Sequence, residues 1–404
     1  MDPNLIDSLV VKNNNNTKII FLIMDGLGGI PMPGGSKTEL ESANTPNMDE
    51  LAKKSVCGLL DPVGPGITPG SGPAHFALFG YDPVKNNIGR GLLEAAGVDY
   101  NMTEDDLLIR INFATIDNKG IITDRRAGRI DTETNKRICR KLQDNVKINS
   151  AVKVFFEPVK EHRALLVIRG KGLEEDIAET DPQKTGLAPL PPEPLSSSAG
   201  KTSEILAEIV ESARQVLSDE KTANMLLLRG YSKYKRFPSI SDRFGLKSLA
   251  IASYPMYRGI ARLLGMTIAP LTDSVEAEIT ELKKSYSDYD FFFIHVKPTD
   301  SRGEDGDFEA KVKVIEKVDS LIPEISGLNP DVLVITGDHS TPAALASHSW
   351  HPVPVILASK NCRPDRVERF GERDCIMGGI GRMPTVCLMG LALAHALRLE
   401  KFGA

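Results

Sequence analysis

Three segments of this chain are apolar almost throughout, and each runs abruptly into acidic or imidazole side chains. Lys18-Ile19-Ile20-Phe21-Leu22-Ile23-Met24 ends at Asp25-Gly26. Asp290-Phe291-Phe292-Phe293-Ile294-His295-Val296 runs into Lys297-Pro298-Thr299-Asp300, and Asp331-Val332-Leu333-Val334-Ile335 into Thr336-Gly337-Asp338-His339. Continuous rather than alternating β-branched and aromatic residues predict strands buried on both faces, as in a parallel sheet covered by helices. Ligands of such sheets bind outside the carboxyl ends of the strands, so Asp25, Asp300, Asp338 and His339 are expected at one edge.

The flanking pattern alternates in the same rhythm. Helices are predicted near 47–54, 255–264, 273–286 and 308–325, with a further strand at 249–252. Between about 108 and 215 the texture changes to strands and turns, with a turn signal at Asp117-Asn118-Lys119-Gly120. The expected fold is α/β: a doubly wound sheet built from 1–107 and 216–404, with a smaller α+β domain inserted at 108–215. The Pro/Ser-rich segment from Leu187 to Ala199 is too broken for a regular element and is expected to loop back toward the main domain. Pro62 to Pro73 is similarly rich in Gly and Pro, and a helix can start by about Ala74. Ser71 then stands at or just before a helix amino terminus, either as an ordinary cap or where free N–H groups and the dipole favour an anion such as phosphate.

Length and charge narrow the class. A chain of 404 residues is long enough for two domains. Its formal net charge of -5 gives no basic footprint for nucleic acid, so that partner is not expected. Five widely spaced cysteines without a Cys-x-x-Cys pair suggest reduced thiols and a cytoplasmic protein. Met1-Asp2-Pro3 and Asn13 to Asn16 do not resemble a signal peptide, and the apolar tract from Leu388 to Leu397 is short and broken by His395. No membrane role is expected, and the sequence does not set the oligomeric state.

A lone Asp-His pair is usually a solvated turn. Three buried strands delivering carboxylates to one edge are a different matter, because gathered carboxylates repel and burial raises the cost; a polyvalent cation is the simplest compensation. Three of the seven histidines, His339, His348 and His351, fall in this region. Mixed Asp and His ligands suit zinc or manganese better than calcium.

Asp25-Gly26, the Thr68-Pro69-Gly70-Ser71 loop leading to Phe79-Gly80-Tyr81-Asp82-Pro83, Arg125-Arg126-Ala127-Gly128-Arg129-Ile130, Lys297-Pro298-Thr299-Asp300, Thr336-Gly337-Asp338-His339 and His348-Ser349 occur in one order. Together they resemble the archaeal-type cofactor-independent phosphoglycerate mutases of the alkaline phosphatase superfamily, over nearly the whole chain. The resemblance implies two divalent cations (manganese, zinc, magnesium or cobalt) around a serine nucleophile, with no 2,3-bisphosphoglycerate. By motif, Asp25, Ser71, Asp338 and His339 would hold one ion, and Asp300, His348 and residue 304 the other. Many members have His where this chain has Glu304, which either ligates a hard cation or faces solvent. Gly72-Pro73 after the serine is a second departure, bearing on local positioning.

The implied reaction moves a phosphoryl group between the 3- and 2-hydroxyls of glycerate through phosphorylated Ser71. The substrate's two anionic groups suit guanidinium side chains. Arg125, Arg126 and Arg129 are the leading candidates, with Asp124 exchanging a proton with the migrating hydroxyl; Arg258 and His75 are weaker ones, whose alternatives are a surface arginine and a helix-packing histidine. The smaller domain would close to exclude water. A phosphatase or phosphonate hydrolase on the same scaffold, a pentose-phosphate mutase lacking the arginine motif, and a non-catalytic metal-binding protein are the competing readings.

Overall fold

The computed structural model describes residues 3–12, 17–86 and 88–403. Met1, Asp2 and Asn13 to Asn16, on which the reading of the amino terminus rests, lie outside them. The strands are β1 (Ile19–Met24), β2 (Val56–Asp61), β3 (Asp106–Ile116), β4 (Ile122–Asp124), β5 (Lys153–Lys160), β6 (Arg163–Arg169), β7 (Met225–Lys233), β8 (Ser248–Ala252), β9 (Thr267–Ile268), β10 (Phe291–Val296), β11 (Val332–Thr336), β12 (Val353–Ser359) and β13 (Gly381–Pro384). The chain forms two compact units, Met1–Asn87 with Phe237–Ala404, and Ile88–Arg236.

The first unit holds an eight-stranded sheet in the order β13-β2-β12-β11-β1-β10-β8-β9. From β11 to β9 all pairings are parallel, whereas β12 runs antiparallel to both β11 and β2. Every residue of β1, β10 and β11 is buried, which is why none of the three shows alternation. Ile20, Leu22 and Met24 enter one core with Phe292, Ile294, Leu333 and Ile335. On the opposite face Phe21 meets Phe291, and Phe79 packs edge-on against Phe293. The register decides function: Met24 lies beside Val296 and Ile23 beside Thr336, so Asp25, Lys297 and Gly337-Asp338 leave three adjacent strands at the same edge.

Two local expectations are corrected here. The helix starts at Ser71 (Ser71–Leu78) rather than near Ala74, because Pro73 sits in the first turn, where a missing N–H costs nothing. Gly70 is the N-cap and Ser71 the first helical residue. The single helix expected over 308–325 is two, Phe308–Asp319 and Ile322–Ser326, since Pro323 can begin a helix but not continue one.

The second unit is a five-stranded antiparallel sheet, β4-β3-β6-β5 with β7 on the other side of β3. One core is closed by the helices Thr132–Asn145 and Gly200–Val216 through Ile138, Leu142, Ile205, Leu206 and Ile209. The unit is wider than 108–215: β7 completes its sheet, and the helix Arg90–Gly97 packs so closely that a Cβ on Gly91 would stand 2.0 Å from the Leu108 carbonyl. The segment after Leu187, expected to run toward the main domain as an irregular loop, is instead paired within its own unit. It edges that unit, through Ile122 N–H to the Leu187 carbonyl, Leu190 N–H to the Thr180 carbonyl and a bridge between Ile177 and Pro194. Among the described residues no helix is long and apolar enough to cross a membrane.

Candidate active site

At the carboxyl edge of β11, β1 and β10, four groups face one another. His339 Nε2 lies 3.3 Å from Asp25 Oδ1, 3.3 Å from Asp338 Oδ2 and 3.4 Å from Ser71 Oγ. Asp25, Asp338 and His339 are fully buried. Gly26, at φ 62°, makes the turn that aims Asp25: a Cβ there would meet Thr341 Oγ1 at 2.5 Å and Asp300 Oδ1 at 2.9 Å.

A second group adjoins the first. His348 Nε2 is 3.6 Å from Asp300 Oδ1, and its ring stacks on His339 at 3.7 Å. His348 Nδ1 donates to the Pro69 carbonyl at 3.0 Å, which leaves Nε2 as the lone-pair nitrogen. Thr341 does the same for His339. Its single hydroxyl proton goes to Asp300 Oδ1 (2.6 Å), so Oγ1 accepts from His339 Nδ1 (3.0 Å) and Nε2 is again the free donor of electrons. Glu304, the last residue of the helix Pro298–Glu304, stands apart: its side chain is 55% exposed and 3.9 Å from His348 Nε2.

The electrostatics show what this arrangement lacks. Burial alone pushes the Asp25 carboxyl up, but the Lys297 ammonium and the imidazoles of His295 and His339 outweigh it and hold the group well below the usual range. Asp338 moves the other way, driven well up by burial and by the charge of Asp25. Burial lowers His339 to about 3, against the pull of Asp25, so its ring is neutral near pH 7. Asp25 Oδ1 and Asp338 Oδ2 make no hydrogen bond despite complete burial. Orphaned carboxylate oxygens are costly, and a divalent cation among two carboxylates, a hydroxyl and a neutral imidazole removes the cost; the residues present fit one. The groups Asp25-Asp338-His339 and Asp300-His339-His348 each gather ligand atoms closely enough to hold an ion.

Four further residues belong to the site and were not assigned to it from sequence. Lys297 bridges the two groups, 3.0 Å from Asp25 Oδ2 and in contact with Asp300 Oδ2, and both carboxylates raise its pKa against the opposing effect of burial. Tyr257 donates its hydroxyl to Asp25 Oδ2 at 2.5 Å, and His295 Nε2 is 3.4 Å from the same oxygen. Thr341 is the fourth. A histidine inside the otherwise apolar run 291–296 was a usable signal; Tyr257 and Thr341 carried none.

Of the two weaker candidates, one adjoins the first group and the other braces the sheet. His75 is fully buried beside the first group: Nδ1 donates to the Ser71 carbonyl (2.8 Å) and lies 3.2 Å from Asp338 Oδ2, and the ring packs on Tyr257 with centroids 4.6 Å apart. Arg258 donates Nη1 to the carbonyls of Ala252 and Ala269, tying β8 to the chain after β9.

In the second unit, Asp124 accepts from the N–H groups of Arg126 and Gly128, both at 2.7 Å, and shapes the arginine turn. Ala127, Gly128 and Arg129 are successively left-handed (φ 48°, 65° and 51°), strain of the kind that collects at functional turns. Arg126 and Arg129 are exposed, whereas Arg125 is held bidentately by Asp181 at 2.9 and 2.7 Å.

A mixed α/β sheet carrying a carboxylate–imidazole centre at its strand ends, with a serine at a helix start beside it, defines the class of protein. The family model for 2,3-bisphosphoglycerate-independent phosphoglycerate mutase matches residues 52–223. The chain is 48% identical over 391 residues to a probable mutase of that name from Thermus thermophilus, covering 96% of each chain, and 51% identical over 387 residues to one from a Thermotoga species, again covering 96% of each. Among solved structures it is similar to a Pyrococcus horikoshii protein (31% identity, TM-score 0.82, 96% of this chain and 99% of that one). It is also similar to the cofactor-independent phosphoglycerate mutase of Thermoplasma acidophilum (26%, 0.70, 94% and 100%). The chain belongs to the 2,3-bisphosphoglycerate-independent phosphoglycerate mutase family, and membership implies divalent metal ions, with which the two side-chain groups are consistent.

Proposed function

We propose that the protein interconverts 3-phosphoglycerate and 2-phosphoglycerate through a phosphoserine at Ser71. The observation that carries this reading is the convergence of Ser71 Oγ with Asp25, Asp338 and His339, groups far apart in sequence. Asp25, Ser71, Asp338 and His339 would hold one divalent cation, manganese being well suited, and Asp300, His348 and Glu304 a second; bound there, such ions supply Lewis acidity toward a hydroxyl and phosphoryl oxygens.

The chain's own residues do the rest. Ser71 Oγ loses its proton and bonds to phosphorus as the bond from phosphorus to the glycerate 3-oxygen breaks, and that oxygen takes up a proton. The 2-hydroxyl then gives up its proton, takes the phosphoryl group and restores the serine hydroxyl. Lys297, cationic and beside both ligand groups, is placed to attract the anionic phosphoryl group. Arg126 and Arg129 supply guanidinium groups for the substrate's anions. With both Asp124 oxygens occupied by N–H groups, a turn-forming role is favoured over proton exchange. Glycerate must stay bound between the half-reactions with water excluded, the task expected of the second unit.

Incubation of 3-phosphoglycerate with chelated and then manganese-restored enzyme, followed by phosphorus NMR, tests this. No conversion by the chelated sample and formation of 2-phosphoglycerate after restoration are expected. Turnover by a thoroughly metal-free sample overturns the metal assignment, and free phosphate as the product assigns the protein to the hydrolases instead.

A further inference from the structure

Lys311, on the helix Phe308–Asp319, has no exposed surface. A buried ammonium costs several kcal/mol unless it is well matched, so its partners matter. Its Nζ donates to the main-chain carbonyls of Gly28 (3.1 Å) and Thr341 (2.8 Å) and lies 3.7 Å from Glu39 Oε1. Glu39 Oε1 in turn accepts from the Ala343 N–H at 2.7 Å. Gly28 is on the loop that leaves β1 through Asp25, while Thr341 and Ala343 are on the loop that leaves β11 through Asp338 and His339. The ammonium therefore clamps two ligand-bearing loops to each other.

The third ligand-bearing segment meets them at Thr341. Its hydroxyl is shared between Asp300 and His339, fixing the orientation of the first and the tautomer of the second. The helix Pro298–Glu304 presses on its carbonyl: a Cβ on Gly303 would stand 2.2 Å from that oxygen. The Thr341 N–H completes the clamp by donating to the Gly26 and Gly28 carbonyls at 3.2 and 3.1 Å. An ammonium that only filled a core would not place both of its hydrogen bonds on these two loops.

We propose that Lys311 is a positioning residue which, through Thr341, holds the Asp25 turn, Asp300 and His339 in the geometry that binds divalent cations. It touches neither substrate nor metal. This inference rests on the metal reading above and is tested by binding rather than turnover.

Metal-free protein is titrated with Mn2+, reading free Mn2+ by electron paramagnetic resonance and heat by calorimetry, with circular dichroism and urea unfolding to establish that each variant is folded. Lys311→Met keeps the aliphatic stem and removes the charge; Thr341→Val keeps the shape and removes only the hydroxyl. Each is expected to weaken Mn2+ binding about 10- to 100-fold. The double variant is expected to bind no more weakly than the worse single one, as two members of one relay should. Arg398→Met, at a fully buried cation bonded to Thr17 and so at the opposite end of β1, is expected to lose stability but not Mn2+ affinity.

Wild-type affinity in folded Lys311→Met or folded Thr341→Val overturns the proposal, as does an equal loss in Arg398→Met. Should Lys311→Met not fold, Thr341→Val alone decides. Failure of the wild-type protein to bind Mn2+ overturns the metal reading itself, a separate result.

Discussion

Asp25 and Asp338 in the first unit and Asp106 and Asp181 in the second have no exposed side-chain surface, and the two pairs are partnered in opposite ways. In the second unit Asp181 accepts two hydrogen bonds from Arg125, one from Arg229 and one from the Gln183 N–H. Asp106 there accepts two from Arg169 and one from the Thr103 N–H. In the first unit Asp25 and Asp338 stand against each other, each with an oxygen that makes no hydrogen bond. A bidentate arginine closes a carboxylate's coordination; an imidazole and a neighbouring carboxylate leave it open. Side-chain exposure is nil in both cases, so exposure does not mark the reactive pair. The marker is an unfinished set of partners, and it is what separates a structural ion pair from a place for a cation.

The largest test of this contrast removes the hydroxyl that faces the open set. Ser71→Ala is expected to lower 3-phosphoglycerate conversion by on the order of 10⁴-fold or more, in an assay coupled to consumption of 2-phosphoglycerate, while Mn2+ binding by the carboxylates and imidazoles persists. The closed set should behave differently. Asp181→Asn strands Arg125 and Arg229 and is expected to cost about 3 kcal/mol of stability in urea unfolding, with Mn2+ affinity unchanged. A loss of Mn2+ binding there would break the contrast.

A third way of burying a carboxylate sharpens it. Glu278, mostly buried, has a hydrogen bond from Ser253 to one oxygen and, among the described residues, no hydrogen-bond partner for the other, and burial raises its pKa to about 8. It is thus expected to keep its proton. Between pH about 4.5 and about 8 the folded protein holds a proton that the unfolded chain has released. The contribution is full below that window and falls by about 1.4 kcal/mol per pH unit on rising through it. Glu278→Gln should remove this slope from a pH series of unfolding curves; an unchanged slope would show that the group is ionised. The smallest effect is expected at Glu304, at the exposed rim of the open set. Glu304→Gln should reduce Mn2+ affinity by about 1 kcal/mol, as suits a charge partly in water, measured by the same titration. A loss as large as that of Asp300→Asn would make Glu304 a full ligand.

Much of this was readable along the chain because strands announce themselves locally. The runs 19–24, 291–296 and 332–336, apolar but for His295 and Thr336, read as strands covered on both sides, and the residues next in the chain after each had to emerge at an edge. That placed Asp25, Asp300, Asp338 and His339 together, and the Gly-Pro loop placed Ser71 at a helix start. The boundaries of the second unit were not readable, since β7 joins β3 across more than a hundred residues and the helix Arg90–Gly97 looks like any other amphipathic turn of chain.

Hydrophobic pattern alone therefore determined the strands, their burial and the identity of the groups at their carboxyl ends, because periodicity and side-chain type act over a few residues. Only the tertiary structure decided which oxygens stay unpartnered, that Lys297 sits between the two groups, that Thr341 divides its hydroxyl between Asp300 and His339, and that Lys311 reaches a carbonyl 283 positions away. Those facts depend on register between β1, β10 and β11 and on the packing of a helix behind them, and hydrogen-bond satisfaction in a buried site is a property of neighbours in space rather than neighbours in sequence.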